Sequence, residues 1–190
     1  MKRTFKTDSE QTKQFYLENR QQIESFFSNT SKLFNIEFEE SDISKMLDQH
    51  CGIDYILKSN GKVYGVAARI NFMVRHHGHV TIRYTRSNGN KTEFEKRCES
   101  IKSNSAEIYA SITMQIDALN NRVVRMIVFE SDNLYLELLK DKEAYEKRFL
   151  NVNQNDGNTF LKISYEEIKE LSQKAGFRVA TKEFDQQLAA

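Results

Sequence analysis

One carboxylate sits inside an otherwise apolar run, Gly52-Ile53-Asp54-Tyr55-Ile56. An ionised aspartate there is costly unless it is paired or bound to a cation. After Asn60-Gly61 the chain continues as Tyr64-Gly65-Val66-Ala67-Ala68-Arg69-Ile70. Ala67 and Arg69 are two apart, so in a strand they share a face. In a hairpin that face can meet the one carrying Asp54. The result is either a structural ion pair or part of a site for a phosphate and a cation. Between positions 69 and 97 the cations are Arg69, Arg75, Arg83, Arg86, Lys91, Lys96 and Arg97, opposed only by Glu93 and Glu95. Arg83 alternates onto the same strand face as Thr81 and Thr85, and guanidinium with hydroxyls suits phosphate oxygens. Arg69, Arg83, Arg86 and Lys91 are therefore the candidates for holding a DNA or RNA backbone. An ordinary solvated strand face is the competing explanation.

The order helix, three-strand meander, helix, strand over residues 42–129 resembles the PD-(D/E)XK nuclease-like superfamily. Members carry an aspartate on one strand and an acid-x-lysine pair on the next. Here Asp54 stands at the aspartate, Ala67 at the second acid and Arg69 at the lysine. The resemblance implies Mg²⁺ held by carboxylates, where it clamps the scissile phosphate and activates a water. Arg69 would contact the phosphate, bidentate and permanently charged, and cannot act as a general base. Ala67 removes one metal ligand from that strand. The resemblance allows the missing acid to have moved to the following helix, at Glu93 or Glu95, or to the preceding one, at Asp48 or Glu40. For Glu95 the competing role is a capping box with Thr92, the T-x-x-E pattern that opens a helix. The implied catalytic set is Asp54, Arg69, Glu93 and Glu95, with Asp54 and Glu95 as Mg²⁺ ligands. The expected function is a nucleic-acid-binding nuclease-like protein, acting on DNA or RNA as a Mg²⁺-dependent phosphodiesterase if it cleaves. The alternative is a non-cleaving descendant that binds nucleic acid or a protein, and Ala67 favours it. A small-ligand or scaffold protein would share only the topology.

Other reactive residues give less. His76-His77-x-His79 can share a metal, but a surface turn explains it as well. Cys51 and Cys98 fit small buried apolar residues better than a nucleophile. Thr113, Gln115 and Asp117 alternate onto one polar face, which can complete a site or face water. No phosphate-binding loop, Rossmann glycine run, G-x-S-x-G elbow, H-E-x-x-H or EF-hand loop is present.

The elements that must position these groups follow from periodicity and turn chemistry. The spacing predicts a helix from Asp8 to about Phe34, opened by Asp8 and Gln11 and interrupted near Asn29, then a short helix from Asp42 to His50. Strands are expected over 53–57, 63–72 and 80–85, separated by Asn60-Gly61 and His76-His77-Gly78. A helix from Thr92 to Ile101 precedes strands over 108–119 and 123–129, which turn at Asn120-Asn121. A helix over 132–149, a polar loop over 151–158, a strand over 160–163 and a helix between Ser164 and Gly176 follow. The last dozen residues read as frayed. The expected architecture is a single α/β domain over 1–190, with a mixed central sheet flanked by helices. It divides into an N-terminal helical arm (1–41), an αβββαβ nuclease-like core (42–129) and a C-terminal α/β extension (130–190).

Composition bounds the partners. The chain has 190 residues, a net charge of +1 and 29% charged residues, so nucleic-acid binding must come from a local patch. No apolar stretch is long enough to span a bilayer, so no membrane partner is expected. The polar opening MKRTFKTDSEQTKQ lacks the apolar region of a secretory signal, and two cysteines make no disulfide framework. A cytoplasmic setting is expected. The helix over 132–149 can cover the sheet or serve a homodimer or another protein partner.

Overall fold

The computed structural model describes residues 5–27, 31–35, 46–47, 51–103, 110–153 and 157–184, the side chains of 5–9, 34, 35 and 93 excepted. The chain runs α1 (Phe5–Glu24), β1 (Ser31–Asn35), β2 (Tyr55–Ser59), β3 (Lys62–Asn71), β4 (His79–Thr85), α2 (Glu93–Ser103), β5 (Ile112–Leu119), β6 (Arg122–Glu130), α3 (Ser131–Lys140), α4 (Lys142–Phe149), β7 (Leu150–Val152), β8 (Thr159–Ser164), α5 (Tyr165–Ala175) and β9 (Val179–Glu183). It is a mixed α/β fold with a mixed sheet flanked by helices. No described helix is long and apolar enough to cross a membrane.

Six strands form the main sheet in the order β1-β2-β3-β5-β6-β9, and three form a second sheet, β4-β8-β7. Two tight turns set the registers. Asn60 and Gly61 both take positive φ (50° and 73°), as do Asn120 and Asn121 (50° and 59°). Two left-handed residues in succession make the turn that matches the twist of a hairpin. Among the described residues the β3–β5 pairing alone is parallel, with Ala67 beside Thr113, Arg69 beside Gln115 and Asn71 beside Asp117.

Alternation gives each face of the main sheet its own cover. Val66, Met114, Ile116 and Met126 pack against Phe15, Tyr16 and Ile23 of α1. The opposite face, through Ile127 and Phe129, packs on Val80 and Ile82 of β4, Leu161 of β8 and Leu134 of α3. Arg69, Asn71, Thr113, Gln115 and Asp117 lie on this second face, under the smaller sheet.

The expected meander of three hairpin strands is corrected at β4. The place beside β3 is taken by β5, and β4 pairs with β8, from His79 opposite Ser164 to Thr85 opposite Thr159. The crossing is built at the end of β3. The Asn71 side-chain amide donates to the His76 carbonyl at 3.1 Å, and Gly78, at φ 72°, donates its N–H to Asp117 Oδ2 at 2.7 Å. A fully buried carboxylate thus anchors the chain where it changes sheet.

Four other expectations are revised. α1 covers Phe5–Glu24, so Asp8 does not stand at its start, and Ser31–Asn35 is a strand paired with β2 rather than the end of a helix. The helix over 132–149 is two, broken at Asp141, whose side chain accepts the Ala144 N–H. The polar loop begins with the short strand β7. Val179–Glu183 is an edge strand on β6 rather than frayed chain. The helix expected over 42–50 lies almost wholly outside the described residues.

Candidate functional site

Asp54 sits where β3 outlasts its partner. The β2–β3 ladder ends at Tyr55 opposite Val66, while β3 runs on to Asn71. The Asp54 N–H donates to the Val66 carbonyl at 2.9 Å. Its carboxylate Oδ2 accepts the Ala68 N–H at 2.6 Å, replacing the strand partner that Ala68 lacks there. The aspartate therefore has a structural role and also stands at the edge of a cleft.

Arg69 projects from the same stretch toward β4. Its Nη1 donates to both the carbonyl and the Oγ1 of Thr81, each at 2.8 Å. These bonds fix the guanidinium between the two sheets. The cleft around it has a volume of about 100 Å³, and its polar lining includes Asp54, Arg69, Thr81, Arg83, Arg86, Thr113 and Gln115. A wider cleft of about 400 Å³ shares Arg69, Thr81 and Arg83 with it and extends to His76, Asn153 and Phe160.

Gln115 is the residue that local sequence left unresolved. It is 0% exposed, and among the described residues neither its Oε1 nor its Nε2 has a hydrogen-bond partner. A buried amide in that condition is rare and needs a reason, because both atoms have given up water. Its neighbour on the same face, Asp117, is also 0% exposed but is bonded to Asn71 and Gly78. The polar alternation of 113, 115 and 117 thus faces the second sheet, not water.

The remaining sequence candidates are placed as follows. Arg83 and Arg86 are exposed and line the narrow cleft. Lys91 pairs with Glu99 at 2.6 Å on the surface and does not line it. Glu95 forms the capping box: its Oε2 accepts the Thr92 N–H at 2.7 Å, and its own N–H donates to Thr92 Oγ1 at 3.2 Å. It is absent from the cleft's lining. The Glu93 side chain, Asp48 and Glu40 lie outside the described residues. Arg97 is held by both oxygens of Asp132. Tyr84 is core, and its hydroxyl donates to Glu146.

The histidines and thiols behave as structural groups. His77 Nε2 sits between the carbonyl oxygens of Asn71 and Ala118, at 3.2 and 3.1 Å. Burial, followed by Arg75 and Lys162, holds the His76 pKa below its ordinary value, so it stays neutral at pH 7. Burial pushes the Cys98 thiol up to about 11, which leaves it protonated and unreactive.

Mg²⁺ clamped between two carboxylates does not fit the described side chains. Asp54 is the single described carboxylate lining the cleft, and one of its oxygens is already bonded to the backbone. Ala67 packs near Ile53 and Ala110 rather than supplying a ligand. No cluster of three or more histidine, cysteine or acidic side chains suited to a metal occurs among the described residues.

No family model, curated protein or solved structure matches this chain.

Proposed function

We propose that the chain is a nuclease-like, nucleic-acid-binding protein whose cleft engages a backbone phosphate of DNA or RNA. The observation that carries this reading is the convergence of Arg69, Arg83 and Arg86 on one small cleft that also holds two threonines and an unpartnered amide. Three guanidiniums converging at one carboxylate leave a net positive site, and guanidinium pairs with phosphate oxygens in a bidentate way. The narrow cleft, at about 100 Å³, is of a size for a phosphate group, and the adjoining one, at about 400 Å³, has room for what the phosphate is attached to. Arg69 is pre-oriented by Thr81, and the exposed Arg83 and Arg86 are placed to follow the strand outward.

Binding without cleavage is the favoured form, because the described side chains supply one carboxylate where the two-carboxylate clamp needs two. Hydrolysis keeps one observation in its favour, the presence of Asp54 in the same cleft. Both forms are tested together by incubating labelled single-stranded DNA, duplex DNA and RNA with the protein and Mg²⁺ or Mn²⁺, beside Asp54→Ala. Salt-sensitive binding with intact substrate is expected. Metal-dependent cleavage that disappears in Asp54→Ala would establish hydrolysis instead. Absence of binding to all three substrates would overturn the proposal.

A further inference from the structure

The wider cleft holds an aromatic ring that the core does not use. Along β8, Leu161 and Ile163 are buried between the two sheets, so Phe160 and Lys162 stand on the opposite face. β8 is the middle strand of the order β4-β8-β7. Phe160 is therefore flanked on both sides, by Arg83 of β4 and Asn151 of β7. Two residues along the same face, Thr81 is paired with Lys162. Phe160 is half-buried and belongs to none of the hydrophobic clusters of the described residues. No ring pair or cation–π contact among those residues engages it.

The ring has the surroundings that base stacking needs. Phe160 lines the cleft of about 400 Å³ together with Ile70, Arg69 and Arg83, and no described carboxylate lines it. Arg69, Thr81 and Arg83 line the narrow cleft as well, so the phosphate site and the ring adjoin through the same side chains. An aromatic face beside arginines, on the outer side of a sheet, is how proteins hold unpaired nucleotides: the base stacks and the cations take the backbone. A duplex cannot use such a ring, because its bases are already stacked on one another.

We infer that the outer face of the small sheet is a single-strand platform, on which an unpaired base stacks on Phe160 while Arg69 and Arg83 hold the adjoining phosphate. This rests on the nucleic-acid reading above and adds the substrate class, single-stranded rather than duplex, together with a base-contacting residue.

The test is fluorescence polarisation with a labelled single-stranded oligonucleotide, the same strand annealed to its complement, and a strand of equal length whose sugars carry no bases. Each is titrated against wild type, Phe160→Leu and Phe160→Tyr. Wild type should bind the single strand about tenfold tighter than either the duplex or the baseless strand. Phe160→Leu should bind the single strand about as weakly as wild type binds the baseless one, and Phe160→Tyr should keep the wild-type preference. A fluorescent base analogue quenched by stacking should lose emission on wild type and not on Phe160→Leu. Equal affinity of wild type for the single and baseless strands would overturn stacking and leave backbone binding standing. Duplex bound as tightly as single strand would overturn the single-strand assignment. A base preference that survives in Phe160→Leu would place the base elsewhere and overturn the role of the ring. Binding of none of the three would overturn the nucleic-acid reading itself. Thermal melts establish that both variants are folded, and the comparison of strands on wild type needs no variant.

Discussion

Gln115→Met tests whether the buried amide is a cost to the fold or is bonded within it. Glutamine and methionine are close in length and volume, so the swap conserves packing, at a cost under about 1.5 kcal/mol. The amide it removes is fully buried, with neither polar atom partnered among the described residues. A buried side-chain amide in that state costs about 1–3 kcal/mol as one group. The variant is therefore expected to be more stable by about 1–2 kcal/mol. In a chain of this size that raises Tm by about 2–8 °C. The assay is thermal unfolding followed by circular dichroism, without added phosphate. A gain in stability shows that the unpartnered amide costs the fold more than it returns. A Tm several degrees below wild type would refute the reasoning, because it would show the amide bonded within the fold.

The other predictions concern single contacts. Gly78→Ala forces a left-handed φ on alanine and brings its Cβ to 2.9 Å from Arg125 Nη1; it should cost about 1–2 kcal/mol and lower Tm accordingly. Thr92→Ala removes a capping box and should cost about 1 kcal/mol, while Glu95→Gln keeps the box and should leave nucleic-acid binding unchanged on the same gels. Glu137 is 2% exposed and bonds Lys140, Lys174 and Tyr145. Bonds from Lys140 and Lys174 hold its pKa down to about 2 from 4.5. Its contribution is complete above pH 4.5 and is lost as pH falls toward 2. Acid titration of Tm should therefore show a smaller loss over that range in Glu137→Gln than in wild type.

The parts of this fold that were legible in the sequence are those with local causes. Asn60-Gly61 and Asn120-Asn121 announce their turns because few residues accept positive φ. The three S/T-x-x-E/Q-type boxes were uneven: Thr92 with Glu95 and Ser164 with Glu167 form, whereas α1 runs back to Phe5, past Asp8. Val80, Ile82 and Tyr84 alternate onto one buried face, yet nothing local says which sheet takes it. That depends on β8, whose paired residues lie some eighty positions on. β9 was missed because an edge strand with exposed side chains is held by backbone bonds to β6 and shows no alternation.

The site divides the same way. Asp54 and Arg69 stood out as charges in apolar strands, and Arg83 and Arg86 as part of a basic run. Gln115 and Asp117 looked as ready for water as for a site, because a polar alternation on one strand does not reveal a second sheet above it. Their burial follows from β4 crossing over β5, a tertiary event anchored at Gly78 and Asp117.

The most direct test of the phosphate cleft is the salt dependence of single-strand binding, measured for wild type and for Arg83→Ala/Arg86→Ala. Three arginine contacts predict a log–log slope of about −2, falling below about −1 in magnitude in the double variant. Thermal melts of both proteins establish that the double variant is folded. Binding whose slope is unchanged in the double variant would contradict the account, because it would place the phosphates elsewhere on the molecule.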